Sequence, residues 1–204
     1  MIYGPEGIGK STFAARFPGA VFIDTEGSTN DMDVARLPRP TSWNMLFDEI
    51  EYIKTHTNEC RTLVIDTVDW AELLCVEHIC AVHNKKGIED FGYGNGYVYT
   101  KEEFGRFLNK LSDLIEIGIN VVLTAHAQLR KFEQPDELGA YDRWELKLGK
   151  KTQSQTSPLV KEWQICCSLR ITKHFLLLWG KTVRSTRGRV ENVPCTHSIT
   201  HVGC

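Results

Sequence analysis

A chain of 204 residues is long enough to bury one substantial core and too short for two. With 42% hydrophobic and 25% charged residues it has the balance of a soluble globular domain, and a formal net charge of −2 leaves no global attraction to nucleic acid, so any such contact must be local. The longest apolar runs, such as Phe175 to Trp179, fall far short of the roughly 20 residues of a membrane span, and no basic-then-apolar leader opens the chain, so a cytoplasmic protein with no membrane partner is expected.

Met1 to Tyr3 reads as the end of a strand; only three residues precede Gly4, so a truncated first strand is expected. A glycine-rich turn follows at once, then a helix from about Lys10 to Phe17. Gly4-Pro5-Glu6-Gly7-Ile8-Gly9-Lys10-Ser11 matches G-x-x-x-x-G-K-[ST] in full, between a strand and a helix as the mechanism requires. Glycines let backbone N–H groups turn inward around phosphates, and the helix N-terminus adds its dipole. This pattern implies ATP held by Gly4, Pro5, Glu6, Gly7, Ile8, Gly9, Lys10, Ser11 and Thr12, with Lys10 on the β- and γ-phosphates and Ser11 on Mg²⁺.

Ala20 to Asp24 is a short apolar run, hence a buried strand, and it leads into Thr25 and Glu26. Hydrolysis needs a group that orients the attacking water; Glu26 is the first candidate and Asp24 the alternative. Thr41 or Ser42 caps a helix whose apolar face is Trp43, Leu46, Phe47, Ile50 and Ile53. Thr62 to Asp66 is another buried strand, and an acid at its C-terminal end, Asp66, sits at the sheet edge where ligands bind and where it could hold a magnesium-bound water. Thr67 and Asp69 then open a helix to about Asn84, either supporting the site or only capping the helix.

Thr100 with Glu103 forms a capping box for a helix carrying Phe104, Phe107, Leu108, Leu111, Leu114 and Ile115 on one side, closed by Gly118. Asn120 to Ala125 is a third apolar strand. It ends in His126 and Gln128, polar groups able to sense a γ-phosphate. Strands alternating with helices predict an α/β fold with a mainly parallel sheet and helices on both faces.

Seven cysteines, none in a CxxC pair, argue against a disulfide framework. Cys75, His78, Cys80 and His83 fit no common zinc spacing and read as ordinary members of a helix.

In this order the four strand ends resemble the RecA-like recombinase core, and in particular the phage-encoded RecA-like ATPases associated with single-strand annealing recombination, over residues 1–163. The resemblance implies a RecA-like P-loop NTPase fold. It also implies Lys10, Glu26, Asp66 and His126 (or Gln128) as catalytic groups, and Ser11 and Asp66 at the metal. By the same resemblance ATP and Mg²⁺ are cofactors, and the partners are single-stranded DNA, further copies of the chain and phage recombination proteins. The family's DNA loops follow the Walker B helix and the sensor strand. Here the first is Asn84 to Thr100, where Lys85, Lys86, Phe91, Tyr93, Tyr97 and Tyr99 alternate with glycines, a composition suited to stacking bases without reading sequence. The second runs from Leu129 to Pro158, with Arg130, Lys131, Arg143, Lys147, Lys150 and Lys151 among acidic residues.

The tail differs in kind. Residues 1–163 carry 18 basic and 25 acidic residues, whereas 164–204 carry 6 and 1, with four of the seven cysteines. Written with allowed codons and read one base earlier, Gln164 to Phe175 becomes Ala-Asp-Met-Leu-Leu-Phe-Ala-Asn-Tyr-Lys-Thr-Phe, a strand-like segment that resembles the family. An out-of-frame, poorly packed tail is therefore expected. Two other functions compete with the ATPase. A nucleotide or nucleoside kinase needs several lid arginines, where only Arg130 and Arg143 are available; a non-catalytic nucleotide-binding module needs only the P-loop.

Overall fold

The apolar runs read at 20–24, 62–66 and 120–125 become interior strands of one sheet. The computed structural model describes residues 1–133, 140–149, 155–164, 166–170 and 175–180. In chain order the elements are β1 (Ile2–Gly4), α1 (Lys10–Ala14), β2 (Ala20–Asp24), β3 (Ala35–Arg36), α2 (Trp43–Thr55), β4 (Thr62–Asp66) and α3 (Val68–Val82). Then come α4 (Asn95–Glu116), β5 (Asn120–Glu133), β6 (Ala140–Leu146), α5 (Thr156–Trp163), β7 (Cys166–Arg170) and β8 (Phe175–Gly180). The strands lie in the order β3-β2-β4-β5-β1-β7-β8, with β6 paired to β5. All neighbours are parallel except β5 with β6 and β7 with β8.

Alternation along the strands divides the core between two faces. Val21, Ile23, Leu63, Ile65 and Leu123 join one cluster with residues of α2, α3 and α4. The intervening Phe22, Val64 and Val122 join a second with Ala14 of α1. Both faces are covered, as near-continuous apolar runs in a parallel sheet require. This is the expected α/β fold.

Helix ends follow local chemistry where that chemistry is strong. Ser42 caps α2 by accepting from the Met45 N–H at 3.2 Å. Gly118, at φ +94°, closes α4: its N–H donates to Ile115 O at 3.0 Å and the Ile119 N–H donates to Leu114 O at 3.0 Å, a left-handed C-terminal cap. Trp43 bridges α2 to α4, its ring centroid 5.9 Å from Phe104 and 5.4 Å from Phe107, while its indole N–H donates to Glu103 at 3.0 Å.

Several expectations need correction. Helix α4 starts at Asn95 rather than at Thr100. Thr100 is interior, its hydroxyl donating back to Gly96 O, and Glu103 serves Trp43 rather than a capping box. The early start depends on Gly96, where a Cβ would lie 2.9 Å from both Ile88 O and the Phe91 ring. Ile115 is exposed rather than on the buried face. Among the described residues, the segment from Leu129 to Pro158 is not one loop: β5 continues to Glu133 and pairs antiparallel with β6, and α5 begins at Thr156. Past Trp163, β7 joins the sheet beside β1 and β8 pairs with β7. The expectation of a poorly packed tail covers 164–204, of which 165, 171–174 and 181–204 lie outside the described residues.

One buried group of α2 has no partner. Both carboxylate oxygens of Glu49 are buried without a hydrogen bond, and burial pushes this carboxyl up to about 7. The folded chain holds that proton more tightly than the unfolded one, whose carboxyl titrates near 4.5, so stability falls as pH rises between these two values. Glu49→Leu is expected to stabilise the protein at about pH 8, by at most about 3 kcal/mol from the pKa difference, and by less at about pH 4. Urea unfolding at both pH values checks this; equal gains would assign the effect to packing instead.

Candidate functional site

The turn from Gly4 to Ser11 wraps one end of β1. Gly7 and Gly9 adopt φ of +70° and +83°, conformations that L side chains rarely take, and space beside Gly7 is open. Lys10 is buried, and its ammonium donates to the carbonyls of Gly4 at 3.2 Å and Pro5 at 2.9 Å. Burial lowers its pKa, against the opposing pull of Asp66, Asp69, Glu26 and Glu6.

Strand β5 lies between β1 and β4. Its residues Thr124 to His126, level with Ile2 to Gly4 of β1, therefore run between the P-loop and Asp66, which is why one strand supplies two groups to the site. Thr124 donates to Asp66 Oδ1, and Ser28 donates to Asp66 Oδ2 at 3.2 Å. Neither hydroxyl was singled out in the sequence, since a lone Ser or Thr has no spacing signature. Asp66 is fully buried, and the peptide that follows it, Asp66–Thr67, is cis. The ends of β2 and β4 are tied together. Thr25 N–H donates to Asp66 O at 2.8 Å, the Thr25 hydroxyl to Thr67 O at 2.7 Å, and the Thr67 N–H back to the Thr25 hydroxyl at 2.9 Å.

His126 is buried beside these groups. Its backbone N–H donates to Asp69 Oδ1 at 3.0 Å, its Nδ1 lies 2.8 Å from Asp69 Oδ2, and its Nε2 lies 3.7 Å from Glu26 Oε2. Burial pushes Asp69 up, but the hydrogen bonds and charge of His126 outweigh it and hold the carboxyl below its ordinary value. Glu26 moves the other way: burial first, then the nearby Asp69 and Asp66, raise it despite His126 and Lys10.

Together these residues line a cleft of about 360 Å³: Glu6, Gly7, Gly9, Lys10, Ser11, Thr12, Glu26, Ser28, Met32, Asp66, Thr67 and His126. The donor set fits a magnesium nucleotide. Buried carboxylate oxygens of Asp66 and the hydroxyl of Ser11 are hard oxygen ligands, and Lys10 with the open glycine turn suits phosphate. Gly4 and Pro5 contribute carbonyls that hold Lys10. Ile8 is half-buried and does not line the cleft. Gln128 is also absent from that lining, its amide donating instead to Leu146 O at 3.3 Å, so of the two sensor candidates the cleft contains His126.

Elsewhere, Cys75 and Cys80 are buried in α3, and Cys75 Sγ contacts Thr100 O at 3.8 Å. No helix among the described residues is long and apolar enough to cross a membrane.

A family model described as an AAA domain matches residues 1–174. The chain belongs to this AAA domain family. No curated protein matches it. The AAA domain is of the P-loop ATPase type, which accounts for the placement of Lys10, Ser11 and Asp66 about one cleft. Its match runs past residue 163, where the resemblance read from motifs ends, and takes in β7.

Asp24 of this AAA domain is a loop anchor. It accepts from the N–H groups of Glu26, Gly27, Ser28 and Thr29 at 2.6–3.2 Å and from the Thr29 hydroxyl at 2.6 Å. These bonds more than offset burial and hold its pKa below the ordinary 3.8. Asp24→Asn turns an NH₂ toward N–H donors and is expected to cost about 1–3 kcal/mol at neutral pH. The stabilisation from a depressed carboxyl is present above its unfolded value of 3.8 and is lost as pH falls through the lower folded value. Chemical unfolding from neutral to acid pH should show the two proteins converging; a constant gap would exclude the charge as its source.

Proposed function

We propose that the chain is an ATP-binding, Mg²⁺-dependent RecA-like ATPase that acts on single-stranded DNA in phage recombination, as a homo-oligomer working with phage recombination proteins. The observation that carries the ATPase reading is the meeting of Lys10, Ser11, Asp66, Glu26 and His126 around one cleft at the C-terminal edge of a parallel sheet. Mg²⁺ bound at Ser11 and Asp66 would neutralise charge on the phosphates. Lys10 offers the cation for the β- and γ-phosphates. Glu26, with its carboxyl raised by burial and neighbouring acids, is placed to orient and deprotonate water.

A kinase lid is not favoured. Arg130 and Arg143 face one another across the hairpin, 3.8 and 4.0 Å from Glu145, and neither lines the cleft.

Single-strand binding rests on the segment ahead of α4. Tyr93 is fully exposed with φ +56°, Lys85 and Lys86 are exposed in the same segment, and Tyr99 stacks on His83 with ring centroids 4.9 Å apart. An exposed aromatic face near cations suits base stacking. Tyr97 is a weaker candidate than its spacing promised, since its hydroxyl donates to Glu89.

Two experiments test the proposal. Lys10→Ala is expected to abolish ATP binding, and Glu26→Gln to preserve it while lowering turnover about 100-fold or more. Nucleotide titration and phosphate release read the two, and wild-type turnover in Glu26→Gln would remove that residue from the chemistry. Tyr93→Ala is expected to weaken binding of a single-stranded oligonucleotide by about 1–3 kcal/mol without changing ATP affinity. Unaltered DNA affinity, measured by anisotropy, would reassign the segment to the ATPase domain's surface.

A further inference from the structure

Asp69 sits in the first turn of α3, where an acid would ordinarily serve only the helix N-terminus. Its carboxylate does something more specific. One oxygen takes the backbone N–H of His126 and the other lies 2.8 Å from the ring Nδ1 of the same residue. A carboxylate gripping both main chain and ring fixes where the imidazole sits and how it is rotated. An ionised carboxylate only accepts, so Nδ1 carries the proton in this contact. Nε2 is then the ring nitrogen left for other partners. It faces Glu26 at 3.7 Å, slightly beyond hydrogen-bond reach, from a buried position on the wall of the cleft.

We infer that Asp69 is a positioning residue of this site: it fixes His126 with Nε2 toward Glu26 and the cleft, so that His126 and Glu26 respond together to what the cleft binds. The inference rests on the ATPase reading above and deepens it. A phosphate oxygen arriving in the cleft meets an imidazole already oriented. A phosphate oxygen only accepts, so its hydrogen bond to Nε2 needs a proton on that nitrogen too, and the charge this puts on the ring acts on the Glu26 carboxylate beside it. Position just after Asp66 left Asp69 as either a support of the site or a helix cap, and only its contact with a residue 57 positions away distinguishes the two.

Asp69→Asn tests this with little change of shape. The expected result is ATP affinity within about threefold of wild type, with kcat lowered about tenfold or more. Combined with His126→Ala it should cost nothing further, since both changes remove one unit. A loss seen as weaker ATP binding with kcat intact, or one adding in full to that of His126→Ala, would show that Asp69 merely ties α3 to β5 and would overturn the proposal. A spectroscopic arm does not depend on turnover. Proton–nitrogen correlation spectra of the nucleotide-free chain should show His126 protonated at Nδ1, and a non-hydrolysable ATP analogue with Mg²⁺ should shift its Nε2. Both signatures should be lost in Asp69→Asn. If the wild type hydrolyses nothing, the ATPase reading fails while these spectra still decide the role of Asp69. A ring unprotonated at Nδ1, or an unchanged Nε2 response in the variant, sinks it.

Discussion

A lysine ammonium buried among carboxylates is the constraint around which this site is organised. Lys10, Glu26 and Asp66 line one cleft and Asp69 stands behind His126 of its wall, and burial of such groups disfavours their charged forms. Each group therefore needs a partner. Lys10 takes two carbonyls of its own loop. Asp66 takes hydroxyls from Thr124 and Ser28. Asp69 takes both N–H groups of His126. Glu26 has the longest of these contacts, 3.7 Å to His126 Nε2, and burial raises its pKa.

Meeting that constraint depends on strand order. With β5 inserted between β1 and β4, the P-loop and β4, whose Asp66 is in the Walker B position, stand two inter-strand steps apart, about 10 Å at ordinary strand spacing. The gap is filled by Thr124 and His126, alternate residues of β5 that both point into it. The first serves the Walker B acid and the second faces Glu26. A sheet with β1 and β4 adjacent would leave no place for either. The hairpin that prolongs β5 beyond the sheet ties the same strand down further, with the Lys147 N–H donating to His126 O at 2.9 Å.

Much of this was legible because it is local. The P-loop, the strands ending at Asp24 and Asp66, the Ser42 cap and the Gly118 cap are set by residues adjacent in sequence. What was misread depends on distant contacts. Glycines and tyrosines before Thr100 look like a loop, yet Gly96 serves to let α4 pass close to Ile88 and Phe91. Residues after Ala125 look polar and irregular, yet they pair across a hairpin with β6, a contact between segments distant enough that neither one alone announces it. Ser28 and Thr124 are single hydroxyls whose role exists only once Asp66 is buried between them.

The division of labour between Asp24 and Glu26 shows why composition alone could not separate them. They are two residues apart at the end of the same strand, and either could orient water. Asp24 lies at the turn, where the chain reverses over it and delivers four successive N–H groups and a hydroxyl to its oxygens. A carboxylate so satisfied is a poor base, and moving it would unravel residues 26–29. Glu26 has a longer side chain and no such cage; it reaches the cleft, where burial and two acids raise its pKa and His126 opposes them. Neighbouring carboxyls driven in opposite directions by their surroundings are how a fold separates a structural acid from a reactive one. Here backbone geometry at the end of β2 holds Asp24 below its ordinary value while burial in the cleft raises Glu26. A change that loosened the Asp24 turn would therefore act on Glu26 as well, by releasing the segment that aims it.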